Sequence, residues 1–236
     1  PRPGDGSGNV ELRNVTFGYG DKPVLVDVAF HARSGTVTAI VGPSGSGKTT
    51  IARLISRFWD VDSGAVMVDG VDIRELGTEQ LMSRLSMVFQ DVYLFDDSLI
   101  ANIRVGRPDA SDEEVFRAAD LSGVTSIANR LGWHTPVGEG GRLLSGGERQ
   151  RVSVARALLK QAPIVLFDEA TSALDAENEA NILAAMDELR EQSTFIVIAH
   201  KLDTIKSADQ IVVLDEHGQV SQLGTHSELS DVPGIY

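Results

Sequence analysis

The sequence has no cysteine, which excludes disulfides and thiolate metal sites. It has no apolar run near the roughly 18 residues needed to cross a bilayer as a helix. It also lacks the charged-then-apolar leader of a secretory signal. Basic residues are scarce: 21 Lys and Arg stand against 34 Asp and Glu, a net charge of −13. Phosphate backbones are gripped by clustered Lys and Arg, so nucleic acid is not expected as a standing partner. What remains is ordinary for a folded protein, with 42% apolar and 23% charged residues. At 236 residues the chain can bury a full core, as one large α/β domain or two small ones. Residues 1–8, Pro-Arg-Pro-Gly-Asp-Gly-Ser-Gly, read as a linker without an initiator methionine. They predict a domain belonging to a longer polypeptide.

The densest signal is Gly42-Pro43-Ser44-Gly45-Ser46-Gly47-Lys48-Thr49, followed by Thr50. It fits G-x-x-x-x-G-K-[ST] without a mismatch. Thr36–Val41 before it is a β-branched apolar run, and Ile51, Leu54, Ile55 and Phe58 after it recur at helical spacing. Strand, glycine turn and helix are what the chemistry requires. Glycines let successive backbone N–H groups turn inward on a phosphate, and the helix start adds partial positive charge. Lys48 is placed to reach the β- and γ-phosphates, and the Thr49 hydroxyl to ligate Mg²⁺. A nucleoside triphosphate site is therefore predicted, against the alternative of a glycine turn that binds nothing.

Around it, Val10–Phe17 and Val24–Ala32 predict strands, joined by the loop Gly18–Pro23. Asp62-Ser63-Gly64 turns the chain into Ala65–Val68, and Asp69-Gly70 predicts a hairpin turn. Leu85–Phe89 is a short strand. From about residue 91 to 161 the pattern becomes helical. Ser111-Asp-Glu-Glu114 is a capping box opening a helix through Ala119, and Ser145-Gly-Gly-Glu148 has the same S-x-x-E form. Behind the second box Val152, Ala155, Leu158 and Leu159 share a helical face. Strands return at Ile164–Phe167, Phe195–Ala199 and Ile211–Leu214, spaced by helical patterns as in parallel β-α-β units. Asp168-Glu169 closes one of them. Acids after a strand are commonly a helix cap; in a chain with a P-loop they suit Mg²⁺ and an attacking water.

Leu144-Ser145-Gly146-Gly147-Glu148-Arg149-Gln150 carries more than a cap needs, namely two consecutive glycines and Arg-Gln after the box. The sequence resembles the ATP-binding cassette (ABC) nucleotide-binding domains, and this stretch is similar to their signature motif. The resemblance runs from about Val10 to the end. It implies an α/β fold: a P-loop NTPase (RecA-like) core with an N-terminal antiparallel β subdomain and a helical subdomain at about 91–161. It implies that Tyr19 stacks on adenine, that Gln90 is the Q-loop glutamine, and that Asp168 and Glu169 are the Walker B aspartate and catalytic glutamate. Asp175 in Ser172-Ala-Leu-Asp175 resembles the D-loop aspartate, and His200 the switch histidine.

ATP and Mg²⁺ are the implied ligands, the metal held by Thr49, Gln90 and Asp168. Glu169, His200, Gln90 and Lys48 are implied to be catalytic. Ser145, Gly146, Gly147 and Glu148 are expected to face the nucleotide of a second cassette, identical or different. Thr135-Pro-Val-Gly-Glu-Gly-Gly141 is similar to the X-loop of exporter-fold transporters, which faces the coupling helices of the transmembrane domain. Asp91–Phe95 with Ile100–Ile103 resembles the same subfamily. An ATPase at the cytoplasmic face of a membrane transporter is thus expected.

Two departures touch coupling contacts: Ala199-His-Lys-Leu-Asp203 stands for the commoner A-H-R-L-S, and the loop before Gly132-Trp133-His134 is short. A soluble ATPase acting on DNA or ribosomes would carry coiled-coil inserts or a tandem cassette, which this sequence lacks. A degenerate cassette would lack Glu169 or an intact signature. His31, His134, His217 and His226 have no partner pattern and read as surface or core residues.

Overall fold

The computed structural model describes residues 8–89, 92–168, 187, 189 and 193–236. The chain divides into two compact units, the first made of Pro1–Leu85, Pro163–Ala170 and Gln192–Tyr236, the second of Ser86–Ala162 and Thr171–Glu191. The first unit starts with β1 (Val10–Phe17), β2 (Leu25–Ala32), β3 (Val37–Val41) and α1 (Lys48–Ile55). It continues through β4 (Ser63–Val68), β5 (Val71–Asp72) and α2 (Thr78–Arg84). Strand β6 (Leu85–Val88) leads into the second unit, whose described helices are α3 (Leu99–Arg104), α4 (Asp112–Leu121), α5 (Val124–Leu131) and α6 (Gly146–Lys160). The chain returns to the first unit as β7 (Ile164–Asp168), β8 (Thr194–Ile198), α7 (Leu202–Lys206), β9 (Gln210–Leu214), β10 (Val220–Gly224) and α8 (His226–Ser230).

Two kinds of strand sequence give two kinds of sheet. Strands β1 and β2 alternate, burying Val10, Leu12, Val15 and Phe17 against Leu25, Val28, Phe30 and Ala32 while polar residues face outward. They pair antiparallel, Val10 opposite Ala32, with β4 on the other side of β1. Asp69 and Gly70 both take positive φ (51° and 80°), so the β4–β5 hairpin closes on a type I′ turn as its Asp-Gly pair predicts. By contrast β3, β7 and β8 are buried at every position, the mark of strands covered on both faces. Within this unit the second sheet runs β10-β9-β3-β8-β7, parallel except for the antiparallel edge strand β10. Each fully buried Ile40, Ile51 or Phe195 contributes about 1.5–3 kcal/mol, offset by the chain entropy lost on ordering.

In the second unit α6 is central to the helices, with Val152, Ala155, Leu158 and Leu159 all buried. Its neighbour α4 opens on the expected box: the Glu114 amide donates to Ser111 Oγ at 3.2 Å, and the Ser111 amide to Glu114 Oε2 at 2.9 Å.

The helical run expected to include Phe58 stops earlier. Helix α1 ends at Ile55, Ser56 caps it, and Arg57 at φ 54° leaves the helical region, so Phe58 lies outside the helix and is 51% exposed. Strand β2 begins at Leu25 rather than Val24, β6 ends at Val88, and α4 runs on to Leu121.

Candidate nucleotide site

In the first unit the parallel register lines up three strand ends. Ile40 of β3 pairs with Ile198 of β8, which pairs in turn with Asp168 of β7. The Ala199 amide still donates to Ile40 O at 3.1 Å, which sets exposed His200 just past the same carboxyl edge. Ligands of open α/β sheets bind at that edge.

The loop from Gly42 to Gly47 leaves β3 there. A Cβ at Gly42 would fall 2.6 Å from Leu214 O and 2.8 Å from Ser46 Oγ, so only glycine lets the chain turn so close to β9. Gly47, at φ 93°, is the N-cap of α1 and supplies no side-chain cap, and the first turn holds no acid. The amides that a Ser or Asp cap would satisfy are thus left for an anion. Ser46 is 1% exposed and its Oγ has no hydrogen-bond partner among the described residues, a buried polar atom that a phosphate oxygen would satisfy.

Lys48 is 8% exposed, and its Nζ donates to Gly42 O at 2.8 Å and Pro43 O at 2.7 Å. Burial lowers its pKa, while the negative charge of Asp168 works in the opposite direction. The ammonium is therefore held inside the loop, within electrostatic reach of Asp168. Thr49 is exposed, whereas Thr50 is buried and hydrogen-bonds to the Tyr19 hydroxyl at 3.2 Å. Magnesium takes one or two protein oxygens, phosphate oxygens and water. An exposed threonine hydroxyl and the buried Asp168 carboxylate suit that donor set, so the residues present fit the metal.

Tyr19 stands on the loop after β1, where the Gly18 amide donates to Asp62 Oδ2 at 2.9 Å. Its ring is 49% exposed and meets Phe17 and Trp59 edge to face, both at 5.0 Å.

The second unit holds the stretch Leu144–Gln150. Ser145 caps α6: the Glu148 amide donates to Ser145 Oγ at 3.2 Å, and the Ser145 amide to Glu148 Oε2 at 2.8 Å. Burial pushes the Glu148 carboxyl up, but the Ser145 amide and the Arg130 guanidinium, 2.6 Å away, outweigh it and hold the pKa below normal. Ser145 and Gly146 are exposed and Gly147 is buried.

The described parts of the two stretches that resemble exporter-fold sequences lie in this unit, where a Cβ at Gly141 would fall 2.8 Å from Leu94 Cδ1 and the residues flanking the stretches are hydrogen-bonded. Val137 donates its amide to Asp97 O at 3.0 Å, Ile100 to Trp133 O at 3.1 Å, and Ser98 bridges Pro136. Arg156, absent from the sequence reading, organises the segment: it donates to Tyr93 O at 2.9 Å and to Asn102 Oδ1 at 2.7 Å. Burial alone draws its pKa down to about 10.

The fold thus gathers Tyr19, residues 42–50, Asp168 and His200 in the first unit, and Ser145–Glu148 in the second. Gln90, Glu169 and Asp175 lie outside the described residues. Of the histidines without a role, His31 is 3.3 Å from Asn9 Oδ1, and His226 Nδ1 is hydrogen-bonded to the Tyr236 hydroxyl at 2.7 Å.

The model of one family, ABC transporter, matches residues 25–172. The ATP-dependent lipid A-core flippase of Vibrio vulnificus is 47% identical over 97% of this chain, and the chain spans 40% of its length. The β-(1→2)glucan export ATP-binding/permease protein NdvA of Agrobacterium fabrum is 47% identical over 98% of the chain, with 40% of its own length matched. The mitochondrial iron-sulfur clusters transporter ATM1 of Yarrowia lipolytica is 46% identical over 98% of the chain and 33% of its own length. A solved bacterial Atm1-family ABC exporter with ATP bound superposes with a TM-score of 0.91 at 42% identity, over 100% of this chain and 43% of that one. The α/β architecture, with its antiparallel sheet and helical second unit, is that of an ABC ATPase domain.

Proposed function

The chain belongs to the ABC transporter family as a nucleotide-binding domain, and from that premise we propose that it hydrolyses ATP to ADP and phosphate to drive an exporter-fold membrane transporter. The observation that carries this reading is the cradle itself: Lys48 buried in a P-loop, an uncapped helix start, and Asp168 on an aligned strand end.

Lys48 leaves its two carbonyls for the β- and γ-phosphates, and the amides opening α1 take the phosphate oxygens. Tyr19 stacks on adenine. Thr49, Asp168 and Gln90 would hold Mg²⁺, which supplies charge neutralisation on the phosphates when bound. Glu169 takes a proton from the attacking water, and His200 donates to the γ-phosphate. Most of the catalysis is positioning and electrostatics, since phosphoryl transfer asks little covalent chemistry of the protein. Ser145, Gly146, Gly147 and Asp175 of one cassette serve the nucleotide of the second, so two ATP molecules close a pair. The helical subdomain, residues 91–161, carries the X-loop to the coupling helices of the transmembrane domain. The domain works at the cytoplasmic face of the membrane.

Loading Glu169→Gln with ATP tests this. Turnover falls by about 10²- to 10⁴-fold, and light scattering shows growth from single domains to pairs. A variant that saturates with ATP but stays single rules out self-pairing and leaves a different cassette as partner. One that keeps more than half the wild-type rate removes Glu169 from the reaction.

A further inference from the structure

Trp59 is a large ring left 43% exposed, too uncovered to be explained by core burial. It nonetheless stands in an ordered setting. Its segment is fixed by Arg57, which donates from Nη1 to Ile73 O and Leu76 O at 3.1 Å each and from Nε to Asp60 Oδ1 at 3.1 Å. The Arg53 guanidinium lies 6.0 Å from the Trp59 ring centroid, within cation–π range. Trp59 meets Tyr19 at 5.0 Å with the planes 86° apart, and Phe17 meets Tyr19 at 5.0 Å and 84°. The Tyr19 hydroxyl is held by Thr50 at 3.2 Å, with Arg53 Nη1 donating at 3.5 Å.

Tyr19 follows Gly18 and precedes Gly20, on a backbone that allows its ring wide freedom. A ring that stacks on a base must hold one orientation, and freezing it at the moment of binding subtracts from affinity. Phe17 and Trp59, each perpendicular to the ring, together with Thr50 at its far end, remove that freedom beforehand.

We propose that Trp59 is a positioning residue for nucleotide recognition: it orients Tyr19 for base stacking without itself touching the base. The proposal rests on the assignment of Tyr19 as the stacking residue. It makes the segment after α1 part of the nucleotide site, though that segment contributes nothing to the phosphate cradle.

The test is a double-mutant cycle by titration calorimetry, with a non-hydrolysable ATP analogue and, separately, inorganic tripolyphosphate, which has no base. Tyr19→Ala weakens the ATP analogue and leaves tripolyphosphate unchanged. Trp59→Ala weakens the ATP analogue by about three- to tenfold, the scale of an aromatic pair, and also leaves tripolyphosphate unchanged. In the Tyr19→Ala background the Trp59→Ala loss disappears. Trp59→Phe restores most of the affinity because an aromatic edge returns.

If Tyr19→Ala loses affinity but Trp59→Ala does not, the positioning role is wrong and the stacking assignment stands. If the Trp59 loss persists without Tyr19, Trp59 contacts the base directly and the proposal is overturned. Equal losses for the ATP analogue and tripolyphosphate would mark a general folding defect and overturn it as well. If Tyr19→Ala changes nothing, the stacking assignment fails and this proposal with it.

Discussion

Helices α1 and α6 both begin with glycines, and both beginnings were marked by their motifs, but they are built in opposite ways. Helix α1 starts at left-handed Gly47 with no side-chain cap, no acid in its first turn and a buried lysine. Helix α6 starts at Ser145 with a closed capping box and an acid at its third position. The first arrangement leaves orphan amides and adds a cation, so it is unfinished without an anion. The second satisfies the Ser145 and Glu148 amides from within and places a carboxylate at the positive end of the helix. One helix start is therefore built to suit a phosphate. The other is a stable platform presenting Gly146 and the Ser145 hydroxyl at a surface, suited to closing over a nucleotide held elsewhere.

The largest expected effect removes the cation from the first. Lys48→Ala weakens ATP binding and lowers turnover by at least about 10²-fold, the scale of losing one preorganised donor to the transition state. Fluorescent-nucleotide titration and phosphate release check it. Wild-type affinity in the variant would mean that the loop is not the phosphate site, and the comparison would collapse.

One substitution made at both helix starts sharpens the contrast. A Cβ at Gly47 falls 2.5 Å from Leu25 Cδ2 on a backbone at φ 93°, so Gly47→Ala destabilises the fold by about 1–3 kcal/mol. At Gly146 the nearest atom, Arg149 Nη2, is 4.0 Å away, and Gly146→Ala leaves stability within about 0.5 kcal/mol. Urea unfolding of the two variants decides. Equal losses would show that the glycines of both motifs serve the backbone alike.

How far these differences could be read beforehand varies with their range in sequence. The strand–loop–helix at the cradle was legible because β-branched runs, glycine spacing and helical period are all local, and Ser111 and Ser145 were legible as capping boxes for the same reason. Phe58 misled because it fits the helical period but follows Arg57, whose positive φ no pattern announces. The short elements α7, β10 and α8 were missed because five residues are too few to display a period, and β10 is an only partly covered edge strand. Thr50 is legible in the sequence only as the residue that follows Thr49. Its bond to Tyr19 spans 31 residues and depends on how β1 and α1 pack. Arg156 gave no signal because a half-buried arginine donating to the distant Tyr93 carbonyl looks, in sequence, like any helix surface residue.

A smaller effect belongs to the cap of α6. Ser145→Ala removes the acceptor for the Glu148 amide and lowers stability by about 1 kcal/mol, within the usual range for a lost N-cap. Affinity for ATP in the single domain stays unchanged, because the cradle is in the first unit. A marked loss of affinity at concentrations where the domain is unpaired would show that this platform serves its own nucleotide.

The smallest effect is electrostatic and has a definite sign. Glu148 is held below the ordinary carboxylate pKa by the Ser145 amide and Arg130, despite the opposing effect of burial. A carboxyl that ionises more readily folded than unfolded stabilises the fold above its unfolded pKa of about 4.3. That stabilisation is lost as pH falls from there through the lower folded value. Glu148→Gln keeps a side chain able to accept from the Ser145 amide but gives up the charge. It should cost about 0.3–1 kcal/mol at neutral pH, at the modest end because Arg130 is 53% exposed and solvent screens the pair. The gap between wild type and variant should narrow as the pH falls below about 4.3, and added salt should shrink it at neutral pH. Urea unfolding across that range measures it. A gap independent of pH would mean that the box holds by its hydrogen bonds alone. The acid at the start of α6 would then add nothing that a neutral cap lacks, and the electrostatic half of the contrast with α1 would fall away.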